Sequence, residues 1–241
     1  MTVRRTLVAA SAVFLVVVGA GVGIALWPTS TVAIGDQMVG APSTGASPDG
    51  SLPPVEPSLE PVTFAVVGDS ISARANRAGI DQSAGSWTSY ATDDDLEFVD
   101  SGWAQSGAKL REMQQNLTTV DADVLVILAG TNDLTTGVSV ADRLAIVGTL
   151  AQQSGAGRIV VSAVPPYDAL PAASTEWNAA LAEYAADNGW QFVDPWAALR
   201  TTDDTYIPRY SVDGIHPTNE AAELVGIAIR AALEGPDRIA A

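Results

Sequence analysis

One stretch restricts the fold of this chain more than any other: Val62-Thr63-Phe64-Ala65-Val66-Val67-Gly68-Asp69-Ser70. Residues 62–67 are apolar and mostly β-branched or aromatic, with Thr63 and Ala65 as the only interruptions. A short apolar run that stops at a glycine suits a buried strand of a parallel sheet. Gly68-Asp69-Ser70 then places a hydroxyl at the strand's carboxyl end, where open α/β sheets gather their ligands and catalytic groups. A strand, a turn and a serine are common. They gain meaning only if the chain also supplies a base, an orienting carboxylate and oxyanion donors.

The rest of the chain repeats the pattern. Segments 96–100, 123–129, 158–164 and 191–194, each with apolar residues at its centre, read as further strands. Helical spacing is expected over 86–94, 109–117, 139–153, 175–188 and 217–233. Five strands with helices between them predict an α/β fold, with right-handed crossovers covering both faces of a parallel sheet. On the helix at 175–188, Trp177, Leu181 and Tyr184 recur at helical spacing and read as core.

Residues 7–27 carry no charge and follow Arg4 and Arg5. At about 1.5 Å per residue they would form ~32 Å of helix, enough to cross a bilayer core. The positive-inside rule then leaves the remainder outside the cytoplasm. The expectation is a membrane anchor over 1–27, with a cleaved signal peptide as the alternative. Residues 28–61 hold 7 of the 14 prolines, so 28–60 is read as an extended tether. The folded domain is assigned to 61–241.

Composition removes several chemistries. The chain has no cysteine, which excludes a thiol nucleophile and thiolate metal sites. A net charge of −16 disfavours nucleic acid and anionic lipid as partners. The chain's one histidine, His216, is too few for a dinuclear metal site. No phosphate loop or dinucleotide fingerprint is present. If base catalysis occurs, the same single histidine makes its assignment unambiguous.

Three more signals fall in turns at strand ends or before a helix: Ser106-Gly107-Ala108, Gly130-Thr131-Asn132-Asp133 and Asp213-Gly214-Ile215-His216-Pro217. A serine hydroxyl becomes a nucleophile when a histidine takes its proton. That histidine needs a carboxylate on its other nitrogen, and Asp213 lies three residues away. A tetrahedral intermediate needs preorganised donors, which the Asn132 amide and the backbone N–H groups of Gly107 and Ser70 can supply. Asp69 and Asp133 read as residues that brace these turns. Tyr167, Tyr206 and Tyr210, placed near strand ends, are expected to line a substrate pocket. Trp103 fits either role.

The order of these motifs resembles the SGNH, or GDSL, hydrolase family over about residues 61–235. The resemblance implies a three-layer flavodoxin-like sandwich and a catalytic triad of Ser70, Asp213 and His216. It implies an oxyanion hole of Ser70, Gly107 and Asn132, with Gly102 as the alternative to Gly107. Ile71 stands where the family motif has leucine. The implied activity is hydrolysis of carboxylic esters, among them short-chain acyl esters, acetylated sugars and lysolipids, with no metal or organic cofactor. A monomeric catalytic domain is expected. An acyltransferase using the same acyl-enzyme and an idle binding module are the alternatives.

Overall fold

The computed structural model describes residues 60–73 and 78–238. The expected anchor at 7–27 and the tether up to residue 59 lie outside the described residues. Among the described residues, no helix is long and apolar enough to cross a membrane.

The sheet is built outward from β1 (Val62–Gly68), whose residues from Phe64 onward are all buried. β4 (Val124–Leu128), buried along its whole length, pairs with one side of it. β5 (Arg158–Ser162) and β6 (Gln191–Val193) follow outward from β4. On the other side, β2 (Leu96–Phe98) pairs with the first half of β1, and β3 (Trp103–Ala104) pairs with Val67 and Gly68 at its end. Every pairing is parallel. The order is β2-β1-β4-β5-β6, with β3 beside β1. With the two-residue β3 set aside, this is the flavodoxin-like order.

Period-two alternation sends β1 side chains to opposite faces. Phe64 and Val66 join a core with Trp87 and Ala91 of α2 (Trp87–Ala91) and with Val225, Ile229 and Leu233 of α6 (Asn219–Arg238). Ala65 and Val67 join a second core on the other face. That core takes Leu110 and Met113 from α3 (Leu110–Asn116), Leu150 from α4 (Val140–Ser154), and Trp177 and Leu181 from α5 (Pro171–Asp187). The result is the expected three layers.

Several boundaries differ from the sequence reading. The sheet has six strands where five were expected, because the chain leaves the edge of β1 after Val99 and rejoins it at Trp103. Gly102 makes the rejoining possible, since a Cβ there would lie 1.9 Å from the Val66 carbonyl oxygen. A four-residue helix, α1 (Ser70–Ala73), starts at the serine itself. α5 begins at Pro171, four residues before the expected start, with proline in its first turn where no N–H is needed. α6 begins later than expected. Pro217 instead bridges Ser211, and the Thr218 hydroxyl accepts the Ala221 N–H at 3.3 Å.

The two candidate oxyanion glycines therefore differ in kind. Gly107 has φ 78° with open space where a Cβ would stand, whereas Gly102 touches backbone. Urea denaturation is expected to show Gly102→Ala losing about 3 kcal/mol through overpacking. Gly107→Ala should lose roughly 1–2 kcal/mol from its left-handed backbone alone. Equal losses would contradict this assignment.

Candidate active site

β1 ends at Gly68, and Asp69 turns the chain into α1. The Asp69 carbonyl accepts the N–H groups of Ser72 and Ala73, and its Oδ1 accepts the Ile71 N–H at 3.0 Å. This turn holds Ser70 at the sheet's carboxyl edge with its Oγ 2.9 Å from His216 Nε2. His216 Nδ1 lies 2.7 Å from Asp213 Oδ2. The three side chains thus form a continuous chain of contacts across 146 residues of sequence.

The loop carrying Asp213 and His216 is braced from within and from below. Asp213 Oδ1 accepts the backbone N–H groups of Ile215 and His216 at 3.0 and 2.8 Å. Ser211 Oγ accepts the Gly214 N–H and donates to the His216 carbonyl. Burial alone would raise the Asp213 carboxyl. The His216 N–H and imidazole, with the Ile215 N–H, outweigh it and hold the carboxyl below its ordinary range. Asp213 is therefore an anion beside Nδ1, the form that favours a proton on that nitrogen.

Asp168, just after β5, ties two strands of this loop together. Its N–H donates to the Gly214 carbonyl at 2.9 Å, and its Oδ1 accepts the Tyr206 N–H at 2.7 Å. Asp168 and Ser211 were not singled out from the sequence. The available signal was polar residues in a rim loop flanking the histidine motif.

Asn132 sits in the 3-10 turn Thr131–Thr135 that follows β4. Its Nδ2 donates to the Ala108 carbonyl at 3.0 Å and reaches Asp69 Oδ2 at 3.5 Å. Asp133 Oδ2 accepts the Leu110 N–H at the start of α3, and the Gln105 N–H meets the Gly68 carbonyl. The turn containing Gly107 is thus fastened to Asn132 on one side and to the end of β1 on the other. Asp69 and Asp133 brace turns, as their positions suggested.

The expected tyrosine pocket is not what the structure contains. Tyr206 and Tyr210 are 2% and 6% exposed and belong to the core. The Tyr206 ring packs edge-on against Trp196, and its hydroxyl donates to the Ile215 carbonyl. Their rings turn inward because the loop needs apolar support beneath it. Tyr167 is half-buried and likewise lines no part of the cleft beside Ser70. Trp103 supplies β3 and packs against the second core. The cleft itself measures about 700 Å³, with Ile71, Trp87, Arg209, Val212 and Glu220 around the serine and the imidazole. Among the described residues, no cluster of three or more acidic or histidine side chains is placed to share a metal ion.

The model of the GDSL-like lipase/acylhydrolase family matches residues 66–224. The chain belongs to that family. This GDSL-like acylhydrolase is an SGNH-type ester hydrolase. No curated protein matches it. Among solved structures, a member of the lipolytic G-D-S-L family from Veillonella parvula is 19% identical. The match covers 73% of this chain and 99% of that one, with a TM-score of 0.58. A GDSL-like lipase from Bacteroides thetaiotaomicron is 20% identical over 73% of this chain and 92% of that one, with a TM-score of 0.55. A catalytic mutant of an acetylxylan esterase from Geobacillus stearothermophilus is 16% identical over 72% and 94%, with a TM-score of 0.59. At these identities the likeness is one of fold.

Among the described residues, the acylhydrolase buries one carboxyl completely. Asp69 is 0% exposed, and burial pushes it up to about 6, against the lowering effect of the Ile71 N–H and the Thr131 side chain. An acid raised in the folded state contributes stability that is present below its ordinary value and lost as pH rises through the raised one. Relative to Asp69→Asn, the natural protein should therefore lose about 3 kcal/mol between about pH 4 and pH 7. Urea denaturation of both proteins across that range checks it. A constant difference would mean that Asp69 ionises freely.

Proposed function

We propose that this ester hydrolase cleaves carboxylic esters with short acyl chains through an acyl-enzyme on Ser70. The observation that carries the reading is the unbroken run from Ser70 Oγ through the His216 ring to the Asp213 carboxylate. His216 Nε2 takes the Ser70 proton as Oγ attacks the ester carbonyl carbon. The tetrahedral oxyanion is held by the N–H groups of Ser70 and Gly107 and by Asn132 Nδ2. Asn132 suits this task because Ala108 fixes its amide, while its long 3.5 Å contact with Asp69 is easily exchanged for an oxyanion. The imidazolium, stabilised by Asp213, then gives its proton to the leaving alkoxide, and the C–O bond breaks. Water repeats the sequence: His216 takes its proton, and the acid is released from Ser70 with the proton returned to Oγ.

The domain is proposed to act as a monomer outside the cytoplasm, anchored through residues 7–27. The uncharged span after Arg4 and Arg5 supports that placement. Membrane fractionation with and without those residues tests it. Transfer of the acyl group to a second alcohol is the competing outcome, favoured by a cleft roomy enough for an acceptor. Product analysis with and without added alcohol separates the two.

Ser70→Ala and His216→Ala should each lower kcat/KM on p-nitrophenyl acetate by roughly 10⁴-fold or more. Asn132→Ala should cost roughly 10²- to 10³-fold in kcat. Retained activity in Ser70→Ala would overturn the acyl-enzyme. A protonated imidazole cannot accept the Ser70 proton, so kcat/KM should fall on acidification, while Asp213 stays ionised over most of that range. A profile flat from about pH 8 to about pH 5 would remove His216 from the role of base.

A further inference from the structure

Resting on that reading of Ser70 and His216, we propose that the cleft receives the alcohol portion of the ester. The preferred alcohol is neutral and polyhydroxylated, and the Arg209–Glu220 pair at the rim selects it. Three observations lead there.

The first is the side of the serine on which the cleft lies. The base hands its proton to the leaving oxygen, so the alcohol must sit on the imidazole side of Oγ. The cleft is walled by Ser70, His216 and Asp213 and continues along Thr218 and Glu220, whereas neither Gly107 nor Asn132 lines it. The acyl group and the oxyanion are therefore directed away from this space.

The second is size. About 700 Å³ is in the range that encloses ligands far larger than a simple alcohol. A small leaving group would leave most of it to water.

The third is the chemistry of the rim. Ile71, Trp87 and Ala222 give the cleft an apolar floor. Above them, Arg209 Nε stands 3.9 Å from Glu220 Oε1, and both side chains are more than half exposed. The guanidinium is held in place: it lies 4.5 Å from the centroid of the Tyr210 ring and donates to the Tyr210 hydroxyl. A held donor next to an acceptor matches the paired donor and acceptor of vicinal hydroxyl groups. One arginine faces two carboxylates, Asp213 and Glu220. The cleft is thus net acidic and repels an anionic alcohol.

The test compares kcat/KM for a monoacetylated methyl hexoside with that for p-nitrophenyl acetate in the natural protein, Arg209→Ala and Glu220→Gln. Both residues are surface groups, and circular dichroism checks that each variant folds. Each substitution is expected to lower the ratio of sugar ester to aryl ester by about tenfold or more, as for loss of a hydrogen bond to a charged group. The natural protein should also prefer the neutral glycoside over the acetyl ester of a glycuronic acid. An unchanged ratio overturns the assignment, and so does a preference for the anionic ester. A change in preference between p-nitrophenyl acetate and octanoate on Arg209→Ala would place the acyl chain in the cleft and refute the proposal. Loss of the acyl-enzyme reading shows separately, as aryl ester hydrolysis surviving Ser70→Ala.

Discussion

Parallel strands all present their carboxyl ends at one edge, and this constraint is what the candidate site depends on. β1, β3 and β4 run the same way side by side, so the turns after them meet. Ser70, the Gly107 turn and Asn132 are delivered to one place by the sheet's polarity, before any side chain contributes. The fourth component arrives differently. His216 comes from the loop between β6 and α6, beyond the end of the sheet, and needs its own bracing. That is why Asp168, Ser211 and the Asp213 carboxylate are all committed to holding that loop.

Joining turns at a buried edge leaves polar groups away from water, and these need partners. Asp69 and Asp133 serve that need. Asp69 satisfies the N–H that follows the serine, and Asp133 satisfies the first N–H of α3. Both carboxyls are raised by their burial. The fastening therefore opposes part of the stability contributed by the two apolar cores. Asn132 stands between Ala108 and Asp69, so it links the two turns.

Much of this was legible from the chain. Uninterrupted apolar runs such as 124–129 allow little besides a central buried strand, and the order of the motifs gives the family. What escaped has physical causes. β3 is two residues long and carries no period of its own. Its existence depends on Gly102 passing close to Val66, a contact between residues far apart in sequence. Tyr206 and Tyr210 were misplaced because a tyrosine near a strand end looks the same whether its ring faces a pocket or the core. Pro217 marks a helix start by local rule, yet its bridge to Ser211 draws it into the histidine loop. The Gly102 and Gly107 alternatives could be separated only by the space around each one.

The segment 205–220 joins two tasks that could have been divided. It carries His216 and Asp213, and it also carries Arg209, Val212 and Glu220 at the cleft. The Thr218 N–H meets the Tyr210 carbonyl and the Val212 N–H meets the His216 carbonyl, so the loop folds back on itself as a unit. Tyr210 is the hinge of the arrangement: its buried ring fixes the guanidinium above, while its backbone fixes Thr218 at the start of α6. The same buried contacts that aim the imidazole at Ser70 therefore set the shape of the cleft beside it. On the proposed reading, a change of alcohol preference is made most easily at exposed tips such as Arg209, because deeper changes in the loop would also move His216.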